Sequence, residues 1–352
     1  MKQIITKYFT GSLFVTFAGL IGAFFIGEYY LGSSGGGMKY LFLAGVLALL
    51  EISLSFDNAV INATVLKKMT PLWVHRFLTW GMLIAVFGMR LVFPMIIVSF
   101  VGGINIGEAI NLALFKPQDY AELMKSIHHE VSAFGGSFLL LVALKFFFNA
   151  EKDHHWIFWL ESRLSRLGKL EAIEIAITLI VVFLFMHLSP ESHQQSILIG
   201  GVGGVITFIL VDAIASFLES DYEEKEASSR TASSPMDLHK ASLGMFFYLE
   251  VLDATFSFDG VIGAFAVTNN LFIIAIGLGI GAMFVRSLTL MMVEEGTLDA
   301  YQYLEHGAFW AVASLALVMF LNTRFEVPEI IPGALSILLI GSAVFSSRRS
   351  TT

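Results

Sequence analysis

Residues 51–60 read EISLSFDNAV, and they follow the wholly apolar or small run YLFLAGVLALL at 40–50. A segment with the composition of a membrane span therefore carries Glu51, Asp57, Asn58 and, a turn further on, Asn62. A carboxylate at the centre of a membrane helix costs about 2.5–3.5 kcal/mol on insertion scales. Residues kept at that cost need a partner, a proton, water or a bound cation.

The whole chain shares the apolar character. Of its 352 residues 56% are hydrophobic and only 14% are charged, with 33 Phe and a mean hydropathy of +0.76. Soluble domains carry roughly 25% charged residues. The composition points to an all-α, polytopic transmembrane bundle whose main partner is the lipid bilayer. The net charge of −8 sits largely in one loop and inside spans, and no basic run suggests a nucleic acid. With no cysteine there is no thiolate ligand, disulfide or thiol nucleophile. The basic start MKQIITKYF leads into an apolar stretch at 11–31. That stretch reads as a retained helix, because it is longer than a signal-peptide core and no A-x-A-type cleavage site follows.

A span needs about 20 apolar residues. Ten windows qualify: 11–31, 40–66, 77–101, 131–149, 171–189, 195–218, 241–268, 270–293, 305–322 and 328–346. With the N-terminus in the cytoplasm, alternation places fourteen Lys and Arg inside and four outside, namely Lys39, Lys116, Lys125 and Arg324. The positive-inside rule then supports ten crossings of a plasma (inner) membrane with both ends cytoplasmic. Three basic residues stay within spans: Arg90, Lys145 and Arg286. The outer stretch 102–130 suggests a surface helix around 118–130. The acidic, Ser-rich 219–237 reads as a partly disordered cytoplasmic linker.

The opening stretch has a twin. Shifted by 202 residues, Glu51 meets Asp253, Ser53 meets Thr255, Ser55 meets Ser257, Phe56 meets Phe258 and Asp57 meets Asp259. One helix after each copy comes an intramembrane arginine, in GMRLVF at Arg90 and FVRSLT at Arg286. The copies fall in the second and seventh windows, so they cross in opposite directions. Inverted repeats that meet at the midplane are how many secondary transporters build a substrate site. The chain then divides into an N-terminal helix and loop at 1–39, a first repeat at 40–149, a middle segment at 150–240, and a second repeat with a C-terminal helix at 241–352.

On a regular helix Glu51, Ser55, Asn58 and Asn62 form one stripe at i, i+4, i+7 and i+11, with Asp57 about 120° round. In the twin Glu250, Asp253 and Ser257 stack at i, i+3 and i+7, with Asp259 off the stripe. Carboxylate, amide and hydroxyl oxygens are hard ligands that suit Mg²⁺, Ca²⁺ and Mn²⁺. The bland alternative is a structural salt-bridge network, in which Arg90, Arg286 and Lys145 neutralise at most three acids. Adjacent histidines point about 100° apart on a helix, so His128-His129-Glu130 and Asp153-His154-His155 read as interfacial groups rather than metal sites. Asp212 is a further intramembrane acid without a repeat partner.

These residues resemble the TerC family of integral membrane proteins, within the LysE exporter superfamily. EISLSFDNAV is similar to its first acidic signature and LEVLDATFSFDGVIGAFAVTNN at 249–270 to its second. HRFLTWGMLIAVFGMR at 75–90, FGGSFLLLVALKFF at 134–147 and VRSLTLMM at 285–292 extend the likeness over about 40–149 and 241–320. The resemblance implies an inverted-repeat bundle, a link to tellurite resistance and manganese export, and no tightly bound cofactor. It implies that Glu51, Asp57 and Asn58, with Glu250, Asp253 and Asp259, carry the ion. Ser55, Asn62, Ser257, Arg90, Arg286 and Lys145 would support them. Asp259-Gly260 stands where the signature has Asp-Ser, the loop 102–130 is long, and 150–240 has no counterpart, which marks a divergent branch.

Three functions compete. The first is export of a divalent cation, Mn²⁺ foremost. The second is a non-transporting role beside other membrane or exported proteins, helping them insert or fold, with the acids structural. The third, an intramembrane aspartyl protease using Asp57 and Asp259, is disfavoured. It needs only two carboxylates, the G-x-G-D pattern is absent, and the chain is expected not to be an enzyme.

Overall fold

The computed structural model describes residues 4–31, 35–81, 83–150, 152, 154–227, 235–325, 327–328 and 330–350. Within them the side chains of 30, 31, 219–227, 235–237, 258, 259, 266 and 350 lie outside the description. Among the described residues the chain is helical throughout, without strands. A π-helical turn, Ile5–Phe9, leads into α1, Thr10–Leu31. Then follow α2, Gly36–Leu54; α3, Phe56–Leu66; and α4, Pro71–Arg76. Two π-helical segments, Phe77–Gly81 and Ile84–Val92, run into α5, Phe93–Val101. The short helices α6, Ile106–Phe115, and α7, Pro117–Ser126, precede α8, His128–Phe148. After them come α9, Phe158–Leu167; α10, Ile173–Leu188; α11, Glu191–Ala227; and α12, Pro235–Val267. The chain ends with α13, Leu271–Glu294; α14, Thr297–Ala300; α15, Leu304–Asn322; and α16, Ile330–Ser350.

Among the described residues, eight helices are long and apolar enough to cross a membrane: 5–29, 36–54, 84–101, 128–148, 191–218, 271–294, 304–322 and 330–349. These meet eight of the ten sequence windows. Of the other two, α10 is apolar but shorter, and α12 is long but interrupted by Glu250, Asp253 and Asp259. Phe14, Phe17, Phe25, Phe100, Phe183 and Phe217 are more than half exposed on the outer surface. Soluble monomers rarely leave such apolar area uncovered; a bilayer covers it.

Three local expectations need correction. The window 40–66 is not one helix: Ser55, at φ −101° and ψ 17°, separates α2 from α3. The surface helix expected around 118–130 ends at Ser126, and His128-His129-Glu130 form the first turn of α8. The stretch 219–237 is helical up to Ala227 and again from Pro235, because flanking helices extend into it. The residues 228–234 lie outside the described residues.

Pro94 offers no amide to the carbonyl of Arg90, and its ring crowds that carbonyl. The regular ladder cannot pass through this point, which accounts for the π-helical Ile84–Val92 just before it. Elsewhere small residues allow backbones to touch. A Cβ on Gly200 would lie 2.1 Å from the Glu130 carbonyl, and one on Gly204 would lie 2.2 Å from that of Phe134. This G-x-x-x-G pair sets α11 directly on α8. One core gathers Ile61, Phe138, Leu141, Leu252, Val312 and Met319 from α3, α8, α12 and α15. A second gathers Leu47, Val98, Tyr120, Phe265, Ile274 and Leu278.

Candidate functional site

The break at Ser55 turns the end of α2 into a polar corner. Ser55 stays in the ladder through its amide to the Glu51 carbonyl, 3.0 Å, and its hydroxyl donates to Glu51 Oε1 at 2.9 Å. The same oxygen accepts Arg90 Nη2 at 2.5 Å. Arg90 reaches there from the second π-helical segment, and its Nη1 donates to the carbonyl of Ala85 at 2.8 Å, five residues back. That Nη1 also lies 4.0 Å from Asp253 Oδ2 on α12. Asn58 on α3 donates to Asp253 Oδ1 at 2.6 Å. Arg90 therefore sits between the two repeat-equivalent acids, Glu51 and Asp253, and all three are buried.

A small chamber lies alongside. Its volume is about 20 Å³, and Asn62, Arg90, Glu250, Asp253, Arg286 and Thr289 supply its polar wall. That is room for about one water molecule, or one dehydrated metal ion. Both carboxylate oxygens of Glu250 make no hydrogen bond to another residue, nor do Asn58 Oδ1, Asn62 Oδ1, Asp253 Oδ2 or Ser257 Oγ. Buried polar atoms of this kind are otherwise almost always satisfied. On the opposite wall Arg286 donates from Nε to the carbonyl of Leu78 at 2.7 Å. Glycines let the walls close. A Cβ on Gly281 would lie 2.2 Å from Glu51 Cγ, and one on Gly81 would lie 2.6 Å from Glu250 Oε1.

The other expected residues lie apart. Asp57, in the first turn of α3, adjoins Ser336 of α16 and does not line the chamber. Its Oδ1 and the Ser336 hydroxyl make no hydrogen bond. The backbone of Asp259 lies in α12, and its side chain is outside the described residues. Lys145 pairs with Asp212 of α11, so it is not a counter-ion of the acidic motifs, and Asp212 gains a partner that its sequence did not suggest. His128 bonds Ser132 at 3.1 Å, and the His129 ring lies tilted against that of His193, with centroids 4.1 Å apart. Among the described residues no three His, Asp or Glu side chains converge as a metal-binding group. The chamber wall is instead mixed, with two carboxylates, an amide, a hydroxyl and the guanidinium groups of Arg90 and Arg286.

Sequence reasoning missed one buried acid. Glu161 of α9 is fully buried. It accepts His306 Nδ1 at 2.8 Å and Trp310 Nε1 at 2.9 Å from α15, and the amides of Trp156 and Ile157. Burial alone would raise its carboxyl. The hydrogen bonds from His306 and Trp310 outweigh that and hold it down at about 2. Nearby, burial pushes the Lys152 ammonium down to about 8, against the opposing pull of Glu161 and Glu305, and it rests 3.5 Å over the Phe146 ring. Nothing in ESRLSRL marks Glu161 as buried, since its side-chain partners His306 and Trp310 lie 145 and 149 residues away.

A family model described as "Protein of unknown function (DUF475)" matches residues 56–351. No curated protein and no solved structure matches the chain.

Proposed function

The chain belongs to the DUF475 family, and from that footing we propose that it exports a divalent metal cation, Mn²⁺ foremost, across the membrane. The observation that carries the reading is the set of buried oxygens without a hydrogen bond at the 20 Å³ chamber, above all both oxygens of Glu250, with Asp253 Oδ2 held only by the 4.0 Å ion pair to Arg90. Hard oxygens around a space of one ion suit Mg²⁺, Ca²⁺ or Mn²⁺. Glu51, Glu250 and Asp253 carry three negative charges when ionised, against two on Arg90 and Arg286, so the site holds a net attraction for a cation. Glu250, Asp253 and Asn62 would hold the ion. Arg90 competes for the same carboxylates and keeps them from binding too tightly to release.

The likeness of the acidic motifs to the TerC signatures supports the same reading. So does the inverted repeat inferred from the 202-residue shift, since Glu51 and Asp253 are its equivalent positions and both reach Arg90. Asp57, which does not line the chamber, is proposed as a waypoint rather than a chamber ligand. Protons would compete with the ion for Glu250.

A second reading stands on the Arg90 network. An arginine held 2.5 Å from Glu51, with Asp253 bonded to Asn58, is also what a purely structural lock needs. The protein would then be a non-transporting partner of other membrane proteins, acting through 150–170 and 219–240.

Mn²⁺ uptake by inside-out vesicles separates the two. Transport by the native protein and its loss in both Glu250→Gln and Asp253→Asn, with the variants still inserted, is the expected result. Equal uptake in both variants removes the chamber from the pathway. No uptake of Mn²⁺, Ca²⁺, Mg²⁺ or Zn²⁺ by intact native protein favours the partner reading.

A further inference from the structure

We infer that the open cleft between α3, α4 and α13 is the approach to the buried chamber, and that Arg286 is the gate between them. The inference rests on reading the chamber as an ion site. The cleft has a volume of about 590 Å³ and is walled by Lys67, Pro71, His75, Leu78, Arg286 and Glu294, among others. Arg286 is the residue common to cleft and chamber. The two spaces follow the same three elements. Asn62 gives way to Leu66 one turn along α3, Gly81 to Leu78 and Val74 on the opposite wall, and Thr289 to Val293 on α13. The larger cleft of about 690 Å³ beside Lys145 and His306 shares no wall residue with the chamber.

The bond from Arg286 Nε to the Leu78 carbonyl spans this passage. Leu78 lies in the π-helical Phe77–Gly81, and such segments recur at functional sites. Among the described residues no carboxylate lies within ion-pairing distance of Arg286, although Glu250 lines the same chamber with both oxygens unbonded. The charged groups bordering the cleft are otherwise engaged: Lys67 pairs with Asp299 at 2.7 Å and Glu294 with Lys7 at 2.8 Å. Arg286 thus has two alternatives. Bonded to Leu78 it closes the passage; paired with Glu250 it gains a charge-assisted bond and leaves the passage open to a hydrated cation from the cleft.

The chain contains no cysteine, so one introduced thiol reports alone. Asn62→Cys and Thr289→Cys place it in the chamber, and His75→Cys places a reference in the cleft. The probe is 2-aminoethyl methanethiosulfonate, added to the purified full-length protein in liposomes. Minor open states of 0.1–10% predict that both chamber thiols react at least about tenfold more slowly than the reference. Adding Arg286→Ala is expected to bring them within a few-fold of it. Adding Val285→Ala, which truncates the chamber wall alone, is expected to leave them protected.

Chamber thiols that stay protected with Arg286→Ala, or that react freely with Arg286 present, overturn the gate. So does equal exposure by Val285→Ala. Gated labelling in a protein that moves no cation keeps the gate and removes the transport reading; transport without gated labelling removes the gate alone.

Discussion

A guanidinium with 2% of its side chain exposed has lost its hydration and needs acids in its place, and Arg90 has Glu51 and Asp253. Breaking a buried pair by removing one partner costs about 3–5 kcal/mol, because the other charge is stranded. Arg90→Gln is therefore expected to lower the thermal midpoint in detergent sharply. Arg90→Gln with Glu51→Gln is expected to recover much of the loss, since the pair then leaves together. Additive losses in the cycle would show that the two do not interact. Glu161 makes a second residue-scale prediction. Its folded carboxyl sits at about 2, below the ordinary 4.5. A depressed acid stabilises the fold fully above its unfolded value and loses that contribution as pH falls toward the folded value. The stability gap between native protein and Glu161→Gln is thus widest above pH 4.5 and narrows from there to about pH 2. Thermal unfolding across that range checks it, and a gap that stays constant contradicts the assignment.

At the scale of elements, two devices shape the site: a break and a close approach. The first acidic motif bends at Ser55, while its twin in α12 runs on as helix through Asp253 and Asp259. The two copies match as sequence and differ as backbone. Close approach is tested on α11. Gly200 and Gly204 admit no Cβ, whereas one on Gly203 would meet the Phe134 ring at an ordinary 3.6 Å. Overpacking costs about 1–3 kcal/mol. Gly200→Ala and Gly204→Ala are expected to lower the thermal midpoint, and Gly203→Ala to stay within about 0.5 kcal/mol of native. Equal effects at all three would mean that α8 and α11 can part without strain.

For the whole molecule, the question is how often the chain crosses the bilayer. Among the described residues, eight helices qualify by length and composition. The proposed ten crossings add α10 and α12, of which α12 carries the buried acids Glu250 and Asp253, and they put both ends on the cytoplasmic side. Protease added to inside-out vesicles is then expected to remove tags from both termini. Protection of one tag means an odd number of crossings and contradicts the ten-span arrangement.

The membrane class, most helix positions and the polar stripes were legible in the sequence, because they depend on composition and on the 3.6-residue period, which are local. Glu51, Glu250, Asp253, Asn58 and Asn62 could be picked out for the same reason: polar groups in apolar runs announce themselves. Their partners could not be. Arg90 meeting Asp253, Lys145 going to Asp212 rather than to the motif acids, and Asp57 facing Ser336 outside the chamber all depend on how separate helices rotate and cross. Glu161 was invisible among the charges of an amphipathic stretch until α15 buried it. Helix rotation is set by the packing of glycines, prolines and large side chains across dozens to hundreds of residues of chain. No short window contains that information, and only the folded bundle decided which charges share a space.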